Sequence, residues 1–181
     1  MKQSNLQDAI ALIDELVPNS KAGLPEALFL LVSRLTPLVN VDLLIENEAG
    51  EKLLVWRHDR FYGPGWHIPG GIVRFKETMA ERLAKVALSE VGCEATVIGE
   101  CLRITEMRHV DRDVRGHFLS HLFRCRLLGE PDSKRRAMVD SPNAGEWAWF
   151  RSAPESLIQQ HKRFSDLLNA SPNVQEDSRG N

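Results

Sequence analysis

Cysteine is scarce in this chain. Its three, Cys93, Cys101 and Cys125, are odd in number and lack zinc-ligand spacing. That usage points to reduced thiols and a cytoplasmic protein. Long apolar runs are missing too: charges or prolines interrupt every stretch before the roughly 20 residues that a membrane-spanning helix needs. No secretory leader is expected, because Asp8, Asp14 and Glu15 break the first apolar stretch. Charge of one sign is also absent. A formal net charge of −2 gives no whole-molecule attraction to nucleic acid or to an anionic membrane. Neither an internal repeat nor a linker divides the sequence. What is present is 181 residues, 43% of them hydrophobic, which suits one globular domain with a sizeable core.

Leu6, Ile10, Ile13 and Val17 recur at helical spacing and predict a first helix over residues 6 to 17, stopped by Pro18-Asn19-Ser20. This helix is expected to pack on the domain or on a second subunit. A second helix is predicted over 25 to 35, with Pro25 in the first turn, where its missing N–H costs nothing. β-Branched and alternating apolar residues predict strands over 39 to 46, 52 to 57, 94 to 109, 116 to 128 and 146 to 150. Asn47-Glu48-Ala49-Gly50 reads as a hairpin turn and residues 58 to 65 as a loop. Leu83, Ala87 and Val91 predict a helix over 78 to 91, closed by Gly92. A last helix is predicted over 154 to 160, with a further turn carrying Phe164, Leu167 and Leu168. The class is therefore α/β (α+β). Residues 1 to 33 form a helical extension, 34 to 170 the main domain, and 171 to 181 a flexible tail.

The densest pattern runs from Gly70-Gly71 through Glu77 to Gly92-Cys93: a glycine turn, a helix, and a closing glycine. Positions 86, 89 and 90 share one helix face, since three- and four-residue spacings bring side chains together. Only Glu90 of the three is a carboxylate. The pattern resembles the Nudix box, G-x5-E-x7-R-E-U-x-E-E-x-G-U, with U aliphatic. Gly71, Glu77, Glu90 and Gly92 match; Lys85 replaces the arginine, and Val86 and Ser89 replace two glutamates. One branch of the Nudix hydrolases, the GDP-mannose mannosyl hydrolases, likewise keeps only the last glutamate. Three more segments are similar to that branch. Thr36-Pro37-Leu38-Val39-Asn40-Val41-Asp42 with Leu43-Leu44-Ile45-Glu46-Asn47 resembles its first strand. Gly50-Glu51-Lys52-Leu53-Leu54-Val55-Trp56-Arg57 resembles its second, and Gly65-Trp66-His67-Ile68-Pro69-Gly70-Gly71 its approach to the box. The similarity covers residues 34 to 150.

The resemblance implies a Nudix-type α/β/α sandwich with a mixed sheet, carrying an extra N-terminal helix here. It further implies a homodimer acting on a nucleotide sugar, without nucleic-acid or membrane partners. The implied cofactor is Mg²⁺, with Mn²⁺ as the alternative; Mg²⁺ takes oxygen ligands and needs few protein carboxylates. Its ligands would be Glu90, the carbonyl of Gly70 and the amide of Asn143. Arg57 matches an arginine that helps bind the nucleotide diphosphate, and Asp42 an aspartate near the sugar. Lys85 has two readings, contact with a phosphate or orientation of Glu77. Ile72 replaces an arginine after the second glycine, which leaves Arg74 or Lys76 to reach the same phosphate. Leu122 replaces a tyrosine. The general-base histidine of the branch falls on Ala144, so the base stays open among His109, Glu146 and Asp140.

The missing acids discriminate between reactions. Attack on phosphorus needs several carboxylates to hold metals and activate water. Attack on the anomeric carbon needs the metal mainly to neutralise a departing diphosphate, and its base can sit on the sugar's opposite face. One retained glutamate favours hydrolysis of GDP-mannose to GDP and mannose, with Glu90, His109 and Glu146 as the catalytic candidates. The alternatives are a pyrophosphatase using acids outside the box and a nucleotide-sugar-binding module without turnover.

Overall fold

A computed structural model describes residues 2–138 and 140–170; the expected tail after 170 lies outside the described residues. Two sheets share the core. In the first, β1 (Leu38–Ile45) pairs parallel with β6 (His117–Leu127) and antiparallel with β4 (Gly70–Ile72), and β5 (Ala95–Arg108) completes the far edge. In the second, β2 (Lys52–Asp59) lies between β3 (Gly63–His67) and β7 (Trp147–Phe150), antiparallel to both. Among the described residues no helix is long and apolar enough to cross a membrane.

Alternation along β1 sets the layers, because successive strand side chains point to opposite faces. Val41, Leu43 and Ile45 enter one buried cluster with Leu53, Val55 and the helix α3 (Met79–Val86). Leu38 and Leu44 enter the other, with Trp66, Phe118, Leu122, Phe164 and Leu168. Phe164 ends a 3-10 turn (Gln159–Phe164) and Leu168 ends the short helix α4 (Ser165–Leu168), so helical segments cover both sides of the strands. This is the mixed-sheet α/β/α arrangement that the sequence resemblance implies. Each fully buried aliphatic or aromatic side chain contributes about 1.5–3 kcal/mol to it.

Near the amino terminus, α1 (Lys2–Leu16) forms as its spacing predicts, yet Leu6 stays 61% and Ile10 49% exposed. The next helix, α2 (Glu26–Leu35), packs Phe29 against the second cluster.

Three segments differ from expectation. Residues 58 to 65 form a strand hairpin rather than a loop: Asp59 Oδ1 accepts the N–H groups of Phe61 and Tyr62 at 2.8 and 3.0 Å, and Gly63 turns back at φ 68. Residues 154 to 160 form no single helix. Trp66 N–H donates to Ser156 O and Ile158 N–H to Trp66 O, both at 2.9 Å, so this segment borders the exposed edge of β3. The third difference lies in the box helix. Thr78 and Glu81 close a capping box at its start, but after Val86 the backbone widens into a π turn, Ala87–Val91. Gly92 N–H ends that turn by donating to both Ala87 O and Leu88 O, each at 3.1 Å, with φ at 73. Leu83, Ala87 and Val91 are buried as their spacing predicts, while Ser89 and Glu90 line a cleft.

Candidate active site

Two clefts meet at Arg57 and His67, which line both. The outer one, about 290 Å³, is bordered by Ser89, Glu90, Asp59, Arg135 and the Ala144-Gly145 turn. The inner one, about 80 Å³, is bordered by Asp42, Tyr62, Gly70, Arg115, Ser120 and His161. A larger open groove of about 990 Å³ runs past Glu46, Gly50 and Arg124 and includes none of the box residues.

Strand pairing builds the junction. β2 and β3 set Val55 opposite His67. The His67 ring is 6% exposed, with Nδ1 2.7 Å from Val55 O and Nε2 3.2 Å from Glu90 Oε2. Arg57 Nε lies 2.9 Å from Asp59 Oδ2, and its guanidinium stands 4.9 Å over the ring of Tyr62. Arg112 covers the same ring at 4.8 Å. Among the described residues, Arg112 Nη1 and Arg115 Nε are buried without a hydrogen-bond partner.

Asp42 lies on β1 opposite Gly70, where a Cβ would collide with its carboxyl, so glycine is what lets the two strands close. It is 2% exposed. Ser120 Oγ and Asn40 Nδ2 donate to its two oxygens, the latter at 2.9 Å. Burial, reinforced by the charge of Glu90, outweighs those bonds and Arg57 and pushes the carboxyl up to about 7. The unfolded chain therefore ionises this group first. Ionisation costs the fold nothing near pH 4, increasingly more as pH rises, and the full amount above pH 7. From a starting value of 3.8 the displacement corresponds to about 4 kcal/mol. Asp42→Asn is expected to stabilise the metal-free protein by a margin that grows between pH 4 and pH 7, to about 4 kcal/mol at most. Urea unfolding in EDTA at pH 4, 6 and 8 measures it; a margin that does not change with pH would contradict the displaced titration.

Glu77 has a different environment. Its side chain is 4% exposed and receives Arg74 N–H at 3.0 Å, Arg82 Nε at 2.7 Å and Lys85 Nζ at 2.8 Å. Burial alone would raise its pKa, but Lys85, the Arg74 amide and Arg82 together hold it at about 2. Lys85 thus lies on Glu77, the second of its two readings, and borders neither cleft.

The remaining predicted residues divide by location. Asp42, Arg57, Gly70 and Glu90 come together around His67. Arg74 donates instead to the carbonyls of Lys21 and Ala22, which ties the box loop to the segment before α2. Asn143 and Glu146 hold each other across a turn: Asn143 N–H and Nδ2 donate to the carboxylate at 2.8 and 3.0 Å and keep its pKa below the usual range. That turn contains Ala144 and Gly145, which border the outer cleft, whereas Asn143 and Glu146 do not. His109 stands edge-on to Tyr62 at 6.3 Å, outside both linings, with Nε2 buried and unpartnered among the described residues. Burial, then the charges of Arg112 and Arg163, hold its pKa below the ordinary histidine value.

Sequence reasoning assigned no role to His67, His161, Arg115 or Arg135. Alternation would have found the first. Trp66 and Ile68 both enter the Leu38 cluster, so the side chain between them faces the opposite way. His161 carries no such signal: its Nδ1 accepts the N–H of Ile68 at 2.9 Å, across 93 residues of chain. Burial, with His67 and Arg57 nearby, holds it well below the usual histidine range, so it is neutral. Arg135 reaches from the 3-10 turn Ser133–Arg135 and donates to Ser89 O at 2.6 Å.

Comparison with known proteins bears on this geometry. A model of the NUDIX domain matches residues 36–168. The Low-salt glycan biosynthesis protein Agl8 of Haloferax volcanii is 36% identical over 95 residues, which are 50% of this chain and 60% of that protein. The match therefore spans less than two thirds of that relative. Among solved structures, a MutT protein from Methanosarcina mazei Go1 superposes with a TM-score of 0.57 at 21% identity, covering 74% of this chain and 94% of its own. A UDP-X diphosphatase superposes with a TM-score of 0.54 at 16% identity, covering 92% and 90%. At such identities the likeness concerns the fold.

Proposed function

The chain belongs to the NUDIX family, and from that premise we propose that it hydrolyses a nucleotide sugar, GDP-mannose before others, with water attacking the anomeric carbon. One observation carries this reading: of the three positions on the acidic face of the box, only Glu90 brings a carboxylate to the cleft. Val86 is 3% exposed within an apolar cluster, and the hydroxyl of Ser89 donates to Val86 O at 3.2 Å. Chemistry at phosphorus would need acids that this face does not offer. The similarity to a glycan biosynthesis protein supports a sugar-bearing substrate.

Nudix hydrolases typically use divalent metal ions. The residues that would hold one are the Glu90 carboxylate, 24% exposed on the cleft wall, and the carbonyl of Gly70 in the adjoining cleft; the Asn143 amide would join them only on leaving Glu146. Bound there, Mg²⁺ or Mn²⁺ would neutralise the charge of the departing diphosphate. Arg57 spans both clefts and would hold that diphosphate where it joins the sugar. In the inner cleft Asp42 is the carboxyl available to the sugar end. Water's oxygen bonds to C1 as the C1–O bond breaks, the electron pair leaves with GDP, and the proton passes to Asp42. Attack from the opposite face inverts C1, so an α-linked mannose leaves as the β anomer.

Hydrolysis in ¹⁸O water tests the reaction directly. The label is expected on mannose, with GDP unlabelled and β-mannose detected first by NMR. Label on phosphate, with GMP and mannose 1-phosphate as products, would overturn the proposal. The same reading includes a homodimer, since Leu6, Ile10, Leu12 and Leu16 of α1 are exposed. Light scattering that returned the 20.5 kDa of one chain would contradict it.

A further inference from the structure

The contact between His67 and Glu90 poses a proton problem. Nδ1 of His67 lies 2.7 Å from Val55 O, and a carbonyl only accepts, so Nδ1 carries a hydrogen. In the neutral ring Nε2 then presents a lone pair. That lone pair faces Glu90 Oε2 at 3.2 Å, another acceptor when ionised. The ring is 6% exposed, which leaves little solvent to relieve the repulsion. A positive charge satisfies the pair, either a proton on Nε2 in an ion pair or a cation beside both atoms.

We propose that it is a divalent cation, and that His67 Nε2 ligates it directly beside Glu90. The inference rests on the reading of Glu90 as a metal ligand. The separation suits it: two ligands at about 2.0–2.2 Å from one ion and at right angles are about 3 Å apart. The rest of the ring suits it as well, because a metal-bound histidine ordinarily donates its other N–H to a carbonyl or carboxylate, which fixes its tautomer. Val55 O supplies that contact from the paired strand. Imidazole adds a donor without adding charge. The site therefore keeps one negative charge where the full box has three, and gains a softer nitrogen. A mixed nitrogen–oxygen set favours Mn²⁺, Co²⁺ or Zn²⁺ over Mg²⁺ more strongly than carboxylates alone do.

The full chain loaded with Mn²⁺ alone and examined by pulsed EPR is expected to show nitrogen coupling, and growth on ¹⁵N-histidine should alter that coupling in the unmutated protein. His67→Gln should abolish it. His58→Gln should not, although His58 borders the same cleft. Co²⁺ affinity, measured by calorimetry, should fall at least about tenfold in His67→Gln, with Mg²⁺ affinity falling less. Thermal melts in EDTA establish that the variant folds, and the ¹⁵N comparison needs no variant. Bound Mn²⁺ without nitrogen coupling would overturn the proposal, as would coupling that survives His67→Gln or no Mn²⁺ binding at millimolar concentration. Tighter Mn²⁺ binding by His67→Gln would also overturn it, since the ring would then be a protonated counter-ion that the metal displaces. The ¹⁸O experiment separates this from the proposed reaction. Label on carbon with nitrogen-free Mn²⁺ removes only the histidine ligand; nitrogen-coupled Mn²⁺ with label on phosphorus removes only the reaction.

Discussion

Glu77→Gln is expected to destabilise the protein by about 3–5 kcal/mol at neutral pH, the usual cost of breaking a buried ion pair from one side. The amide keeps the shape of the carboxylate but not its charge. Arg82, 8% exposed, would be left as a buried cation, and the bonds from Arg74 N–H and Lys85 would weaken. Most of the loss belongs to Arg82, because Lys85 is 56% exposed and reaches water easily. The pH dependence identifies the cause. Glu77 is held at about 2 from an ordinary 4.5, so its contribution is complete above pH 4.5 and disappears as pH falls through 2. Urea unfolding of both proteins should therefore give a wide gap at pH 7 that narrows toward pH 2. A gap below about 1 kcal/mol at pH 7 would show that this cluster does not hold the box loop.

Glu90→Gln should do the reverse, removing turnover and sparing stability. Loss of a metal-held charge opposite a leaving diphosphate is worth several kcal/mol of barrier, or about a thousandfold in rate. The side chain is 24% exposed and outside both apolar clusters, so unfolding free energy should stay within about 1 kcal/mol. Single-turnover release of GDP from GDP-mannose measures the first effect and urea unfolding the second. Activity within tenfold of the parent would remove Glu90 from the mechanism.

Much of this arrangement was legible in the residues because local rules act there without opposition. Alternation in β1 and four-residue spacing at Leu83, Ala87 and Val91 set the layers, and the buried clusters follow them. Where composition and tertiary pairing disagreed, pairing won. The Gly- and Pro-rich stretch before Trp66 reads as a loop, but β2 offered it a free edge and Asp59 closed the turn. The π turn could not be read, since four-residue spacing serves an α-helix equally well. In the site, Glu90 followed from the spacing of the box, while Asp42, Arg57 and Gly70 followed from the resemblance of the flanking segments. His161 and Arg115 reach the inner cleft from segments far away in sequence, and no local pattern announces a contact of that kind.

The packing of Val86 limits where this face can accept another acid. Its Cγ2 lies where a Cβ on Gly71 would come within 2.8 Å, and it is 3% exposed among leucines and valines. A glutamate placed there would strand a carboxylate in that apolar contact, at a cost of several kcal/mol. A charge at position 86 would need Val86's apolar neighbours and the Gly71 turn to give way. Packing thus closes position 86 to a second acid, and the cleft-lining Ser89 is the one place on this face where a single substitution can add a carboxylate without burying it.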